Sequence, residues 1–323
     1  MNPTTLPSAA AAALLVAVAV PAMAQKAFPE RPVRLVVAFG AGGSSDTVAR
    51  TLALKLGEGW GQSVVVENRS GATGTIAADV VARAPGDGHT LLFTSALSTA
   101  AALYAKLPFD WQRDISPIVQ TTAVSQVLYV HPSLPAKTVK DLVDFARKRP
   151  GELGYASSGI GSVAHLSGAN LGIINGLKLI HVPYKSNGMG SIDVMAGHVP
   201  IMFDQISTAV PHIRAGKVRA LAVTSAARAP NLPDVQTMVE SGYKDFVTTV
   251  WHGLLGPGSL QKDVQARINA DANRALKLPD VRDRLTGLGL DIIGGSPDAF
   301  AAEMKRDFAW ASLTIKAAGI KAE

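Results

Sequence analysis

The stretch that most restricts the fold is "VRLVVAFGAGGSSDTVARTLALKL", residues 33–56. Seven residues, Val33 to Phe39, carry one charge and no turn former, as a parallel strand covered on both faces requires. Three glycines and two serines follow. Then Val48, Leu52 and Leu56 recur at the spacing of one helix face. Strand, glycine loop and helix are the opening half of a βαβ unit, and the pattern continues. "SVVVE" (63–67) and "HTLLFTS" (89–95) read as further strands, separated by a helix carrying Ile76, Val80 and Val81. Alternation of this kind predicts an α/β fold with a parallel sheet and right-handed crossovers.

Near residue 125 the pattern restarts. "QVLYVHPSLP" predicts a strand and a turn. "TVKDLVDFARKRPG" predicts a helix capped by Thr138 and stopped at Pro150-Gly151. "GYASSGIGS" leads into a helix with Val163, Leu166, Ile173 and Leu177 on one side; "LIHVPY", a helix over 186–196, "VPIMFDQ" and "VRALAVTS" follow. The last segment, with "WHGLLGP" and amphipathic helices over 259–276 and 297–318, is expected to add little sheet and to pack on the first lobe. The prediction is two lobes, 25–124 plus 248–323 and 125–247, with hinge crossings near 124 and 225–248.

Residues 1–24 stand apart. An apolar core from Ala9 to Val20, then Pro21 and Ala22-Met23-Ala24, reads as an export signal cleaved after Ala24. It is too short for a spanning helix. The remaining chain of about 300 residues can bury a large core. It contains no cysteine, which excludes disulfides, thiolate metal sites and cysteine nucleophiles. The formal charge of +6 is scattered and aromatics are 6% of the chain, so no nucleic-acid stripe is present. A mild field favouring small anions fits better.

Two loops carry the chemistry. In the first, Gly40, Gly42 and Gly43 permit positive φ and close backbone approach, so successive N–H groups can converge on an anion. Phe39, Ala41 and Ser45 belong to the same loop. The helix start adds positive dipole charge, and Asp46 is its first-turn acid. No Gly-Lys-Ser/Thr ending or G-x-G-x-x-G is present, so a carboxylate suits the loop better than a nucleotide phosphate. The second loop, "YASSGIGSVAHL", repeats the device with Ser158, Gly159, Gly161 and Ser162, and His165 lies one turn into its helix. Thr94, Ser95 and Ala96 end the third strand beside the first loop. Two such loops can face one another across a cleft at the strand ends.

Catalytic patterns are missing. The sequence has no H-E-x-x-H and no G-x-S-x-G, and its seven histidines show no metal-ligand spacing. Ser259–Lys262 matches S-x-x-K, but at a helix start and without companion motifs. No cofactor, metal or catalytic residue is expected.

"PERPVRLVVAFGAGGSSDTVAR", "GQSVVVENRSGATGTIAADVVARAPGDGHTLLF", "VHPSLPAKTVKDLV", "YASSGIGSVAHL", "HVPYK", "MFDQ", "PHIRAGKVRALAVTS" and "WHGLLGP" together resemble the Bug, or TctC, family. These are periplasmic substrate-binding components of tripartite tricarboxylate transporters. The resemblance spans essentially the whole mature chain and implies a two-lobed Venus flytrap (type II) fold. It implies a monomeric receptor for a small di-, tri- or aromatic carboxylate, delivering it to the transporter's membrane components. The alternatives are a sensor subunit signalling to a membrane histidine kinase and, from another class, a hydrolase or lyase on the same scaffold. Family members grip one carboxylate between loops that correspond to Phe39–Ser45 and Ser157–Ser162. Thr94, Ser95, Ala96, Tyr184, Lys185, Asp204 and Gln205 match pocket positions. Lys185 could meet a second carboxylate or stay solvated, and Asp204 could meet a ligand hydroxyl or serve within its lobe. Departures from the family pattern fall at Ala38, at "RSGATGT", and at the "YKS" and "FDQ" forms.

Overall fold

A computed structural model describes residues 28–322; the expected export signal lies outside them. The first parallel run is β1 (Val33–Val37), α1 (Ser44–Trp60), β2 (Val64–Asn68), a 3₁₀ turn at Ala72–Gly74, α2 (Thr75–Ala82), β3 (Thr90–Thr94) and the short α3 (Leu97–Leu103). β1 lies between β2 and β3, parallel to both. Its apolar run, interrupted only by Arg34, has a direct cause. Val33, Leu35 and Val37 enter a core with α1, while Val36 enters one with Trp251 and Phe300.

β4 (Ile115–Val130) is the long strand that both halves share. β4 leads to α4 (Val139–Arg147), β5 (Gly154–Ser157), α5 (Val163–Asn175), β6 (Ile180–Pro183), α6 (Asn187–Met195), β7 (Ile201–Gln205), α7 (Ile206–Arg214) and β8 (Arg219–Val223). The chain returns through β9 (Thr249–Pro257), α8 (Lys262–Leu276), α9 (Pro279–Gly287), β10 (Asp291–Ile292) and α10 (Pro297–Ala318).

From Ile115 to Ser125, β4 runs antiparallel to β9, completing the order β2-β1-β3-β9-β4. From Gln126 onward the same strand sits between β7 and β8, beginning the second sheet, which continues to β5 and β6. Thr224 ties the two passages together at this point. Its amide donates to the Gln126 carbonyl at 2.8 Å, and its hydroxyl donates to the Thr248 carbonyl at 2.6 Å. The fold is a two-lobed α/β architecture.

Each lobe adds antiparallel strands to its parallel set. Two sequence expectations change. β9 is a central strand of the first sheet, although the last segment was expected to add little sheet. Ile173, placed on the buried side of α5 by periodicity, is exposed, and on α2 the buried apolar positions are Ala77, Ala78 and Val81 instead of Ile76. The Thr138 cap is present, with Asp141 completing a reciprocal capping box.

Candidate functional site

The C-terminal ends of β1, β3, β5 and β7 open onto a cleft of about 890 Å³ between the lobes. Phe39 to Ser45, Ser95 and Ala96 line it from the first lobe; Ser158, Gly159, Ser162, Tyr184, Lys185 and Gln205 line it from the second. Of the sequence-predicted positions, Asp46, Thr94, Gly161, His165 and Asp204 are not in the lining. Each of these five instead braces a residue that is, or a loop that belongs to it.

Asp46 shows how the first loop is shaped. Gly42 turns at φ +84°, and its amide donates to Asp46 Oδ2 at 2.9 Å. Arg50 donates to the same oxygen at 3.0 Å, and Asn68 reaches Oδ1 at 2.9 Å and the Phe39 carbonyl at 2.9 Å. Burial opposes the carboxylate charge, but the bonds from Arg50, Gly42 and Asn68 hold Asp46 below the ordinary carboxylate range. The Gly42 amide is therefore spent inside the loop. Gly43 ends the turn as the N-cap of α1 and has no side chain to cap the helix. The first-turn amides of Ser44 and Ser45 lack intrahelical acceptors by position, and both residues sit on the cleft wall. Thr94 is buried behind Ser95, its hydroxyl accepting the Ala96 amide at 3.3 Å.

The second loop rests on two imidazoles. His165 and His181 stack with centroids 3.5 Å apart and planes 4° apart. His165 Nδ1 accepts the Gly161 amide at 3.1 Å, and His181 Nε2 lies 2.6 Å from Ser157 Oγ, which also bonds Gly159. Burial, with the neighbouring His181, pushes His165 down to about 3; burial pushes His181 down to about 4. Both rings are neutral at pH 7. Ser162 caps α5 by accepting the His165 amide at 3.2 Å.

Asp204 lies wholly buried beneath Gln205. It accepts from the Gln205 amide and the Thr208 hydroxyl, each at 2.7 Å, and from Ser191 at 2.9 Å. Burial pushes its carboxyl above the ordinary range against these bonds. Its partners all lie within the second lobe. Tyr184 donates to Asp193 at 2.6 Å, and Lys185 is exposed at the rim, the one charged side chain of the lining among the described residues.

Sequence reasoning missed four features. Ser70 to Gly74 line the cleft, with Ala72 (φ 45°) and Thr73 (φ 52°) held left-handed. For residues other than glycine this is strained backbone, and it falls at a cleft wall. The glycines flanking Ala72 and Thr73 were the available signal. Gln126 and Ser186 to Gly188 also line the cleft. Leu103, Tyr104, Ile160 and Ala322 form an apolar portion of the lining.

The fourth is a buried chain of hydroxyls and rings. Thr122 Oγ1 lies 3.0 Å from His252 Nδ1, and Ser44 Oγ lies 3.2 Å from His252 Nε2. Ser44 donates to Gln205 Oε1 at 3.0 Å, from one lobe to the other. His252 has no exposed surface, and burial alone pushes it down to about 4. One self-consistent order is Nε2–H donating to Ser44 while Thr122 donates to Nδ1. Ser44→Ala strands that buried ring nitrogen. The expected cost is about 1–3 kcal/mol of stability, read as a lower urea midpoint at unchanged m value. An unaltered midpoint would show that Ser44 is not the partner of His252.

Among the described residues, no group of three or more His, Asp or Glu is arranged to hold a metal ion, and no helix is long and apolar enough to cross a membrane.

A two-lobed α/β chain with glycine loops meeting over an interlobe cleft defines a solute-binding protein. Residues 48–319 match the TctC family, described as the tripartite tricarboxylate transporter family receptor, and the chain belongs to that family. Protein BugT of Bordetella pertussis is 33% identical over 301 residues, covering 91% of each chain. Among solved structures, Rpa4515 of R. palustris with adipate is 34% identical at TM-score 0.83, covering 91% of this chain and 99% of that one. MatC of Rhodopseudomonas palustris with bound malate is 33% identical at TM-score 0.81, covering 89% and 100%.

Proposed function

We propose that this chain is an exported receptor that captures a small organic carboxylate by closure of its lobes and passes it to the membrane components of a tripartite tricarboxylate transporter. The observation that carries this reading is the pairing of an uncapped helix start at Gly43–Ser45 with a second glycine–serine loop across one cleft. The binding of adipate by one structural relative and malate by another supports the ligand class.

Desolvating a carboxylate costs several kcal/mol. Charge-assisted hydrogen bonds return about 1.5–3 kcal/mol each. Four to six donors leave the ~8 kcal/mol of a micromolar complex, and neither lobe alone offers that many. The acid therefore docks on one loop and closure recruits the other. The lobes are 25–124 with 248–323, and 125–247. They turn about Ser125/Gln126 in β4 and the Thr224–Thr248 passage, after the leader is removed behind Ala24. Ligand shifts this equilibrium only by its preference for the closed form. Lys185 at the rim meets a second carboxylate where the ligand has one.

A thermal-shift screen of mono-, di- and tricarboxylates against the chain from residue 25 tests the proposal. Stabilisation by at least one carboxylate, recovered unchanged after incubation, is the expected result. Stabilisation by sugars or cations alone would overturn receptor and ligand class together. Turnover of the bound acid would overturn the receptor reading in favour of an enzyme.

A further inference from the structure

The helix start, glycine loops and hydroxyls account for one end of a ligand, but they occupy only part of the cleft. Another part is apolar and comes from three distant pieces of chain. Leu103 and Tyr104 end α3, Ile160 sits at the tip of the second glycine loop, and Ala322 follows α10. These pieces are held together by a small core that joins the lobes. Leu103, Leu166, Ala311 and Ile315 form it, with Tyr104, Ile160, Ile320 and Ala322 packed against it. α10 packs on α3 of the first lobe and α5 of the second, so the segment after it reaches the cleft where the lobes meet.

The charge of the lining points the same way. Among the described residues, Lys185 is the one ionic side chain facing the cleft, and it is exposed. A trianion would leave charge without a counterion beside Leu103 and Ile160, and burying unpaired charge is costly. An alkyl or aryl body there removes apolar surface from water on both partners.

We infer that the cleft holds an apolar subsite, completed by Ala322 beyond α10, which takes the alkyl or aryl body of an acid carrying one or two carboxylates. The inference rests on the carboxylate-receptor reading above and narrows it.

The test is a homologous series: acetate, butanoate, hexanoate and octanoate, with benzoate and citrate, titrated calorimetrically into the chain from residue 25. Burial of each methylene is worth about fourfold in affinity, so octanoate should bind roughly 200-fold tighter than butanoate, with citrate weaker than hexanoate. Ala322→Asp places a carboxylate in the subsite without touching the glycine loops. It should flatten the series to less than twofold per methylene while the affinity for acetate or butanoate holds. Tyr104→Asp, at the end of α3 and outside both glycine loops, should do the same from a second wall of the subsite. A flat series in the unaltered protein, or citrate binding best, would overturn the subsite and leave the carboxylate receptor standing. A steep series that survives both substitutions would also overturn it, since these walls would not be the ones in contact. Failure of every acid to bind would remove the receptor reading itself, and the subsite with it.

Discussion

Gly161→Val is expected to abolish carboxylate-dependent stabilisation while leaving a cooperatively folded protein. Gly161 turns at φ +75°, where a β-branched residue is strongly disfavoured. A Cβ there would also stand 2.6 Å from Leu103 Cδ2, on the other lobe. Leu103 packs among Leu166, Ala311 and Ile315, and its remaining face lines the cleft, so it can yield only into the ligand's space. The left-handed φ is disfavoured as well, so the loop shifts and the Gly161 amide leaves His165. The donors of Ser158 and Ile160, which that turn aims into the cleft, then no longer reach an acid held at α1. Loss of two charge-assisted bonds at about 1.5–3 kcal/mol each corresponds to at least a hundredfold in affinity. Gly42→Ala is the comparison. Its φ of +84° is equally unfavourable, but the added Cβ meets nothing within 4 Å and the Gly42 amide is already committed to Asp46. Its effect on binding should be under tenfold. Calorimetric titration of both variants, with urea unfolding to confirm the fold, checks the pair. Wild-type affinity in Gly161→Val would remove the second loop from the site.

The reach of a sequence reading is set here by how each element meets its surroundings. β1 was legible because both of its faces are apolar. β4 was not, since "VQTTAVSQ" interrupts its apolar pattern in the middle. Of those polar residues, Thr121, Thr122, Ser125 and Gln126 are nonetheless buried. Thr121 donates to the His252 carbonyl, Thr122 pairs with the His252 ring, and Gln126 is bonded to Thr224 and Ser167. Hydropathy registers the polar atom but cannot see its partner, so a continuous strand read as a break between lobes. "WHGLLGP" concealed β9 in the same way, because its glycines leave space that Phe300 and Leu260 occupy.

The site divides along the same line. Glycine loops announce themselves, since only a demand on the backbone explains three glycines in four positions. The residues behind them do not. Asp46 read as the first-turn acid of its helix, while His165 and Asp204 could be read either as cleft contacts or as groups serving within the lobe. Folding turns each inward, where a carboxylate or ring fixes the loop in front of it. The Ser44–Gln205 bond joins positions 161 residues apart, and Ala322 reaches the cleft only through the packing of α10. No local pattern encodes either contact.

His252 makes the second large prediction, in acid. Its ring is neutral in the fold and burial holds it down to about 4, against 6.5 in an unfolded chain. The sign follows from proton counting. Between those values the unfolded state binds a proton that the folded state refuses, so stability falls as pH falls from about 6.5 toward 4 and then levels off. That gap corresponds to about 3 kcal/mol. His165 and His181 act in the same direction, protonation of one placing a cation against the other's face. Asp204, pushed up by burial, acts oppositely as pH falls through its raised range, so the total slope mixes signs. A variant difference isolates one ring. His252→Asn removes the titrating group but leaves every carboxylate in place. The wild type should exceed His252→Asn in unfolding free energy at pH 7, and that advantage should shrink by about 3 kcal/mol by pH 4. Urea denaturation of both proteins across this range measures it. A constant difference would mean that His252 takes up its proton without resistance and is not sealed behind Ser44.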